Sequence, residues 1–158
     1  FYVLTRHEKD GDHFVGYFSK EKQSFEGYNL AVITILPAYQ RKGYGRLLIE
    51  FSYELSKLEQ KVGSPELPLS DLGYAGYRSF WQAALLDTLI KKPGSTFTIS
   101  DLSMFTSIRG EDVVATLADL GLLGEWKGDR GRGGRPKRGD GRTEERGRDR
   151  RRRETERP

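Results

Sequence analysis

The stretch from Asn29 to Leu58 constrains the fold of this chain more than any other part of it. An apolar segment rich in β-branched residues occupies positions 29–36 and ends at Pro37, which predicts a buried strand. Beyond a short turn, apolar residues recur at spacings of three and four: Leu48, Phe51, Leu55 and Leu58. This spacing predicts a helix with one apolar face.

The turn between the strand and the helix predicts a phosphate site. Its residues are Gln40, Arg41, Lys42, Gly43, Tyr44, Gly45 and Arg46. Free N–H groups and the positive end of the helix dipole favour an anion, and the two glycines let a phosphate approach the backbone closely. The three basic side chains add positive charge at the same place.

Two familiar phosphate motifs do not fit this turn. The dinucleotide fingerprint requires a third glycine where the chain has Leu48, and the P-loop requires Gly-Lys-Ser/Thr where it has Gly45-Arg46-Leu47. What remains, Gln/Arg-x-x-Gly-x-Gly, resembles the pyrophosphate-binding turn of acetyl-CoA-dependent N-acetyltransferases. Taken alone, this short motif fits a purely structural turn equally well.

The residues around the turn carry a more specific pattern. QRKGYGRLLIEFSYELSK at 40–57, followed by GSPELPLSDLG at 63–73, resembles the MYST family of histone acetyltransferases. The resemblance extends back through residues 1–5 and 15–22, and forward, more loosely, to about Trp126. It implies an α+β, GNAT-like core of antiparallel strands with an acetyl-CoA-binding helix. It also implies a nuclear enzyme that moves acetyl from acetyl-CoA to a histone lysine.

The loop at 63–73 holds one glutamate, Glu66, between Pro65 and Pro68. Its simplest interpretation is a surface linker with an exposed acid. A lysine substrate has a reference pKa near 10.4, so only about one amine in a few thousand is free to attack at neutral pH. A general base is typically worth ~10²–10⁴ in rate. The resemblance implies that Glu66 is this base.

Further coenzyme contacts are implied by the same resemblance. Ser70 and Ser79 are the serines expected to contact acetyl-CoA, with a helix cap or a solvated helix face as the alternatives. Ile33, Thr34 and Ile35 are expected to line the strand edge beside the thioester, where a backbone N–H holds the developing oxyanion.

The chain departs from the family pattern at Val32, where most members carry a cysteine. With no cysteine in the chain, an acetyl-cysteine route is excluded for its residues and direct attack in a ternary complex is expected. The family's zinc finger precedes the equivalent of Phe1, so we expect a fragment, incomplete at its N-terminus and without a metal. His7 and His13 flank a polar hairpin and are predicted to be surface residues.

Three regions are predicted: an acetyltransferase core at 1–92, a helix-turn-helix-like subdomain at 93–126, and a disordered Arg/Gly-rich tail at 127–158. A helix is expected at 74–90, with Tyr77, Trp81, Leu85 and Leu89 on one face, and Thr98 is expected to cap the next helix. The second short helix carries acidic residues, which disfavours DNA reading by this subdomain.

The charge is unevenly distributed along the chain. Residues 1–126 hold 13 Lys/Arg against 16 Asp/Glu, a net of −3, whereas residues 127–158 hold 14 against 7, a net of +7. The acidic body suits a basic protein substrate. The tail is either a nuclear-localisation or nucleic-acid patch, or a substituted terminus, which we favour.

Three functions therefore stay open. The first, which we favour, is a histone acetyltransferase core acting on histone tails or nucleosomes with other subunits of a chromatin complex. The second is an acetyltransferase of small amines. The third is an impaired or inactive fragment that binds CoA or chromatin. A membrane partner is not expected, because no apolar run approaches the ~20 residues that cross a bilayer.

Overall fold

A computed structural model describes residues 1–123 of the chain. The strands in this part are β1 (Tyr2–Glu8), β2 (Gly11–Ser19), β3 (Tyr28–Leu30), β4 (Val32–Ile35) and β5 (Ser64–Pro65). The helices are α1 (Tyr44–Leu58), α2 (Asp71–Lys91), α3 (Ile99–Thr106) and α4 (Gly110–Asp119). The mixed α+β class predicted from the sequence is confirmed. The tail predicted at 127–158 lies outside the described residues.

The strands form two sheets. One is antiparallel, in the order β1-β2-β4, and the other is a parallel pair of β3 and β5. The prediction of a single buried strand at 29–36 is therefore wrong in detail. The segment breaks at Ala31, whose N–H donates to Ser19 O at 2.8 Å, and its two halves serve different sheets. Val32 and Thr34 are exposed, because only alternate residues of β4 face the core.

Helix α1 packs on both sides. Leu48 joins a small core cluster with Phe18 of β2 and Leu30 of β3. Ile49 and Tyr53 join a larger cluster with the buried residues of the later helices. The helix is thus fixed between the sheet and α2.

The face of α1 that is buried differs from the predicted one. Phe51 is 44% exposed and Leu58 is 82% exposed, whereas Ser52 and Ser56 are buried. Serine hydroxyls can be buried here because each bonds to the backbone of its own helix: Ser52 Oγ donates to Ile49 O at 2.7 Å and Ser56 Oγ to Ser52 O at 3.1 Å. Their small size allows α1 and its neighbours to lie close together.

The later helices share one core with α1. Tyr77, Trp81 and Leu85 of α2 are buried as predicted, and the core continues through residues of α3, α4 and the turn between them: Leu102, Ile108, Val113 and Leu117. Trp81 Nε1 donates to the Tyr53 hydroxyl at 2.8 Å. Burial raises the pKa of Tyr53 well above its usual range, so this hydroxyl stays neutral.

Thr98 forms the predicted cap of α3, with Asp101 completing a capping box. The subdomain boundary at 92/93 stays a prediction, since the helices on either side of it contribute to a common core.

Among the helices of residues 1–123, none combines the length and apolar character that a bilayer-crossing segment requires.

The close approach of β2 and β4 at Gly16 provides a stability test. A Cβ at Gly16 would collide with the Thr34 carbonyl oxygen and lie 2.7 Å from Ile35 Cδ1. We expect Gly16→Ala to lower the free energy of unfolding by about 1–3 kcal/mol, because the backbone itself must shift. Chemical denaturation monitored by circular dichroism measures the change.

Gly110→Ala is the matched control for this substitution. A Cβ at Gly110 would meet Ile99 Cγ2 at 3.8 Å, an ordinary contact. We expect this variant to be neutral or slightly stabilising, since alanine restricts the unfolded chain more than glycine does. Equal unfolding free energies for the two variants would contradict the tight β2–β4 contact.

Candidate active site

A groove of about 410 Å³ lies between β4, the turn before α1 and the first turns of α2. Nine of the residues predicted to contact the coenzyme line it: Ile33, Thr34, Ile35, Gln40, Arg41, Gly43, Gly45, Arg46 and Ser70. The fold thus brings together residues that are separated by up to 37 positions in the chain.

Four further residues line the groove that the sequence motifs do not identify: Ile49, Leu72, Gly73 and Gly76. Gly73 and Gly76 lie three residues apart on α2, so they share one face of the helix and add no side chains to it. This spacing of two glycines is a sequence signal for a surface that another molecule or element approaches closely.

The groove contains the start of α1. The N-cap of this helix is Gly43, with φ 88°, and glycine offers no side-chain acceptor to the amides of the first turn. Arg41 is also left-handed, with φ 58°. Left-handed residues in such a turn aim successive N–H groups into one concavity, which together with the helix dipole forms an anion site.

The turn is anchored to β4 through Gln40. Its Nε2 donates a hydrogen bond to Ile35 O at 3.0 Å. The side chain of this predicted coenzyme contact thus bonds to the protein itself and holds the turn against the end of the strand. Gln40 also lines the groove, and its contact with the coenzyme stays a prediction.

Arg46 is held from three sides. Its Nε donates to Glu50 Oε1 at 2.9 Å and its Nη1 donates to Ser79 Oγ at 3.0 Å. The guanidinium also lies over the Phe80 ring, 5.7 Å from the centroid. The guanidinium is therefore fixed at the groove, where it is also paired with the Glu50 carboxylate. Ser79 itself does not line the groove, so its predicted contact with the coenzyme stays a prediction.

Two other predicted residues also lie outside the groove lining. Lys42 Nζ donates to Ala38 O at 2.9 Å and lies 5.7 Å from the centroid of the Tyr39 ring. The Tyr44 ring packs edge-on against Tyr39, with centroids 6.1 Å apart. Both side chains are engaged with the short helical turn that precedes the phosphate turn.

Ser70 is the N-cap of α2. Its Oγ accepts a hydrogen bond from Gly73 N at 3.1 Å. Ser70 is therefore a helix cap, which is the alternative to a coenzyme contact that the sequence left open. The same residue lines the groove. The cap fixes the Ser70 side chain, and the predicted role toward the coenzyme stays a prediction.

Glu66 lies outside the groove lining, with an exposed side chain. Its backbone N–H donates to Leu30 O at 2.9 Å, which attaches its loop to the end of β3. Val32, the position of the family cysteine, is 48% exposed and follows Leu30 by two residues. The loop of Glu66 is thus attached to the chain two residues before Val32.

The β1–β2 hairpin carries the two histidines. His7 Nδ1 lies 2.8 Å from Asp12 Oδ1, and His13 Nε2 lies 2.9 Å from Asp10 Oδ1. The His13 hydrogen bond lowers the pKa of Asp10. Ligand atoms of Glu8, Asp10 and His13 lie within 4.8 Å of one another, and only Asp10 of the three is exposed; such a cluster does not by itself make a metal site. That neither histidine has a function stays a prediction.

Comparison with known proteins extends these observations. A family described as MOZ/SAS matches residues 1–152. The chain is 58% identical over 132 residues to a histone acetyltransferase Tip60 homolog of Caenorhabditis elegans, covering 81% of this chain and 29% of that protein. It is 57% identical over 128 residues to the histone acetyltransferase ESA1 of Candida glabrata, covering 81% and 28% respectively.

The Saccharomyces cerevisiae histone acetyltransferase ESA1 is 54% identical over 128 residues, again 81% of this chain and 28% of that protein. The chain thus spans less than a third of the length of these curated relatives. The family match covers nearly all of the chain, including the phosphate turn and the loop that carries Glu66. The chain belongs to the MOZ/SAS family, which is the MYST family that its motifs resemble.

Proposed function

We propose that this chain forms the coenzyme-binding part of a histone acetyltransferase that moves acetyl from acetyl-CoA to a lysine ε-amine. The observation that carries the proposal is the groove at the start of α1, where nine predicted coenzyme contacts meet around an uncapped helix end. Free amides and a fixed cation favour a diphosphate at this place. The family of the chain supports the same activity.

In this proposal the coenzyme lies along the groove. The amides of residues 41–46 and the guanidinium of Arg46 hold the pyrophosphate, while β4 borders the thioester. The Gln40 amide, predicted to take part as well, instead donates to Pro37 O at 3.3 Å. β4 is an edge strand of its sheet within the described residues, so alternate N–H groups point away from β2. One of these amides can donate to the oxyanion as the thioester carbonyl is attacked.

Glu66 supplies the general base. The ε-ammonium of the substrate loses a proton to the Glu66 carboxylate, directly or through one water, and the nitrogen lone pair attacks the thioester carbonyl. The C–N bond forms as the C–S bond breaks, the nitrogen gives up its second proton as the amide forms, and CoA leaves as a thiolate that takes up one proton. Because the chain holds no thiol, none of its own residues can form an acetyl-cysteine intermediate. The acetyl group is therefore transferred directly to the amine.

The charge and the family of the chain support a substrate class and a location. The acidic balance of residues 1–126 favours a basic peptide, as a histone tail is. The named relatives are histone acetyltransferases, which supports histone tails and nucleosomes as substrates, a nuclear location and association with other subunits of a chromatin complex.

A second candidate is coenzyme binding without catalysis. Glu66 is exposed and lies outside the groove lining, and valine replaces the cysteine expected on β4. These observations favour a domain that still holds CoA but has lost acetyl transfer. Substitution of Glu66 separates the two candidates.

We expect Glu66→Gln to lower turnover of a histone-tail peptide about 100-fold near pH 7 in the full-length protein, because the amide cannot accept the lysine proton. The ratio of wild-type to Glu66→Gln turnover is expected to decrease toward pH 9.5. More of the substrate amine is then already neutral, since lysine has a reference pKa near 10.4. Steady-state acetylation measured across this pH range tests both statements.

Glu21→Gln, in the exposed turn between β2 and β3, is the control with the same chemical change. It is expected to leave turnover unchanged. Wild-type turnover in Glu66→Gln would exclude Glu66 as the base. Absence of any acetylation by the wild-type protein, with CoA binding intact, would favour the second candidate.

The groove assignment predicts that Gly45→Glu weakens CoA binding at least about tenfold. Gly45 lines the groove in the first turn of α1, so the carboxylate would lie where a phosphate is expected. A Cβ at this position meets only Ile35 Cγ1, at 3.8 Å, so the fold tolerates a side chain. Isothermal titration calorimetry with CoA measures the change.

Gly45→Gln is nearly equal in size but uncharged, and it separates repulsion from bulk. We expect the glutamate variant to bind CoA more weakly than the glutamine variant, with a difference that shrinks as salt screens the charge. An unchanged affinity of Gly45→Glu for CoA would exclude this turn as the phosphate site.

A further inference from the structure

The turn between α3 and α4, residues 107–109, fixes the start of the loop that carries Glu66. Gly63 N donates to Ser107 O at 2.9 Å, and Gly63 O accepts from Arg109 N at 3.1 Å. These two bonds form a parallel bridge between the loop and the turn. The position of the loop thus depends on the position of this α3–α4 turn.

The same loop is attached to β3 a few residues further on. Glu66 N donates to Leu30 O at 2.9 Å, and β5 pairs in parallel with β3. A Cβ at Gly63 would lie 2.6 Å from Asn29 Cβ, so the loop backbone lies directly against β3. The loop is therefore attached to two elements, β3 and the α3–α4 turn, and the place of the Glu66 carboxylate depends on both.

The Arg109 side chain connects these two elements to each other. Its guanidinium donates to Glu26 O and lies over the ring of Tyr28, the first residue of β3, 5.5 Å from the centroid. A Cβ at Gly27 would lie 3.1 Å from Arg109 Nη2, so the guanidinium packs closely on the backbone that precedes β3. One side chain thus holds β3 at the turn to which Gly63 is bonded.

The helix to which Arg109 belongs does not explain this residue type. Arg109 is the N-cap of α4, but within residues 1–123 its side chain forms no capping hydrogen bond. Arginine has no acceptor for the free amides of the first turn, and a cation is unfavourable at the positive end of the helix dipole. The contacts of the guanidinium with residues 26–28 account for this departure from the usual preference. Such departures are expected at functional positions.

A purely structural role for Arg109 is the alternative. In that role the guanidinium stabilises the fold by bonding to Glu26 O and covering the Tyr28 ring. Its loss would then lower stability and leave the turnover of the folded enzyme unchanged. A positioning role instead requires a loss of turnover that depends on Glu66.

We propose that Arg109 is a positioning residue for Glu66, acting through β3 and the α3–α4 turn. This inference rests on the proposed function, since it assigns Glu66 the role of base. The Glu66 side chain is exposed, so the loop backbone sets its position more than packing around the carboxylate does. Misplacement of a catalytic group by ~1 Å can cost about 100-fold in rate, so a side chain that fixes this backbone affects turnover without touching the substrate.

Arg109→Met tests the proposal in the full-length protein, because methionine keeps an apolar stem but has neither the donors nor the charge. We expect kcat on a histone-tail peptide to fall about tenfold, with the KM for acetyl-CoA unchanged because Arg109 lies outside the groove lining. Arg78→Met is the control with the same chemical change. Arg78 pairs with Asp119 at 3.0 Å in an exposed ion pair, and its loss is expected to leave kcat unchanged.

Arg109→Lys is the conservative variant. Lysine keeps the charge and a donor but lacks the planar fork of the guanidinium, so this variant is expected to retain more of the wild-type kcat than Arg109→Met. Thermal unfolding of each variant shows whether it is folded at the assay temperature. If Arg109→Met is unfolded there, Arg109→Lys takes its place in the comparison with Glu66→Gln.

Arg109→Met is then combined with Glu66→Gln. If Arg109 acts through Glu66, it does not lower kcat further in the Glu66→Gln background, because the group that it positions is already lost. An undiminished loss in that background, or an unchanged kcat in the folded Arg109 variant, overturns the positioning role. Wild-type kcat in Glu66→Gln alone overturns the base assignment and this role with it, and so identifies which claim failed.

Discussion

The packing of α1 between the sheet and α2 is the constraint on which the site depends. Leu48 contacts the cluster of β2 and β3, and Tyr53 contacts the core of the later helices. Ile49 belongs to that core and also lines the groove. Because the wall of the groove is part of the core, the uncapped end of α1 cannot turn away from β4 without disrupting both clusters.

In the proposed function, the two charged parts of the site are kept apart for a chemical reason. The groove presents Arg41, the fixed cation of Arg46 and free amides, which suit a diphosphate. Glu66 stands outside this cationic region, where its carboxylate is exposed to an approaching ammonium group. A carboxylate within the groove would repel the phosphates, so separation allows one small domain to accept an anionic and a cationic substrate.

The sequence predicted the turn, the apolar face of α2 and the cap at Thr98, because each depends on residues close together in the chain. It did not predict the break at Ala31, where the apolar segment divides into two strands that belong to different sheets. The burial of Ser52 also escaped prediction, since its hydroxyl bonds within α1. The contact between Arg46 and Ser79 joins two helices, and such pairings carry no local sequence signal.

One short segment sets the spacing between the two halves of the site. The carbonyl of Ile35 accepts from Gln40 and so holds the turn before α1, while the carbonyl of Leu30 accepts from Glu66 N and so holds the loop of the proposed base. These residues lie five positions apart in the chain, which corresponds to at most about 17 Å at ~3.4 Å per residue. In the proposed binding mode, the diphosphate of the coenzyme lies at one end of this segment and the reactive carbonyl at the other, which requires an extended ligand.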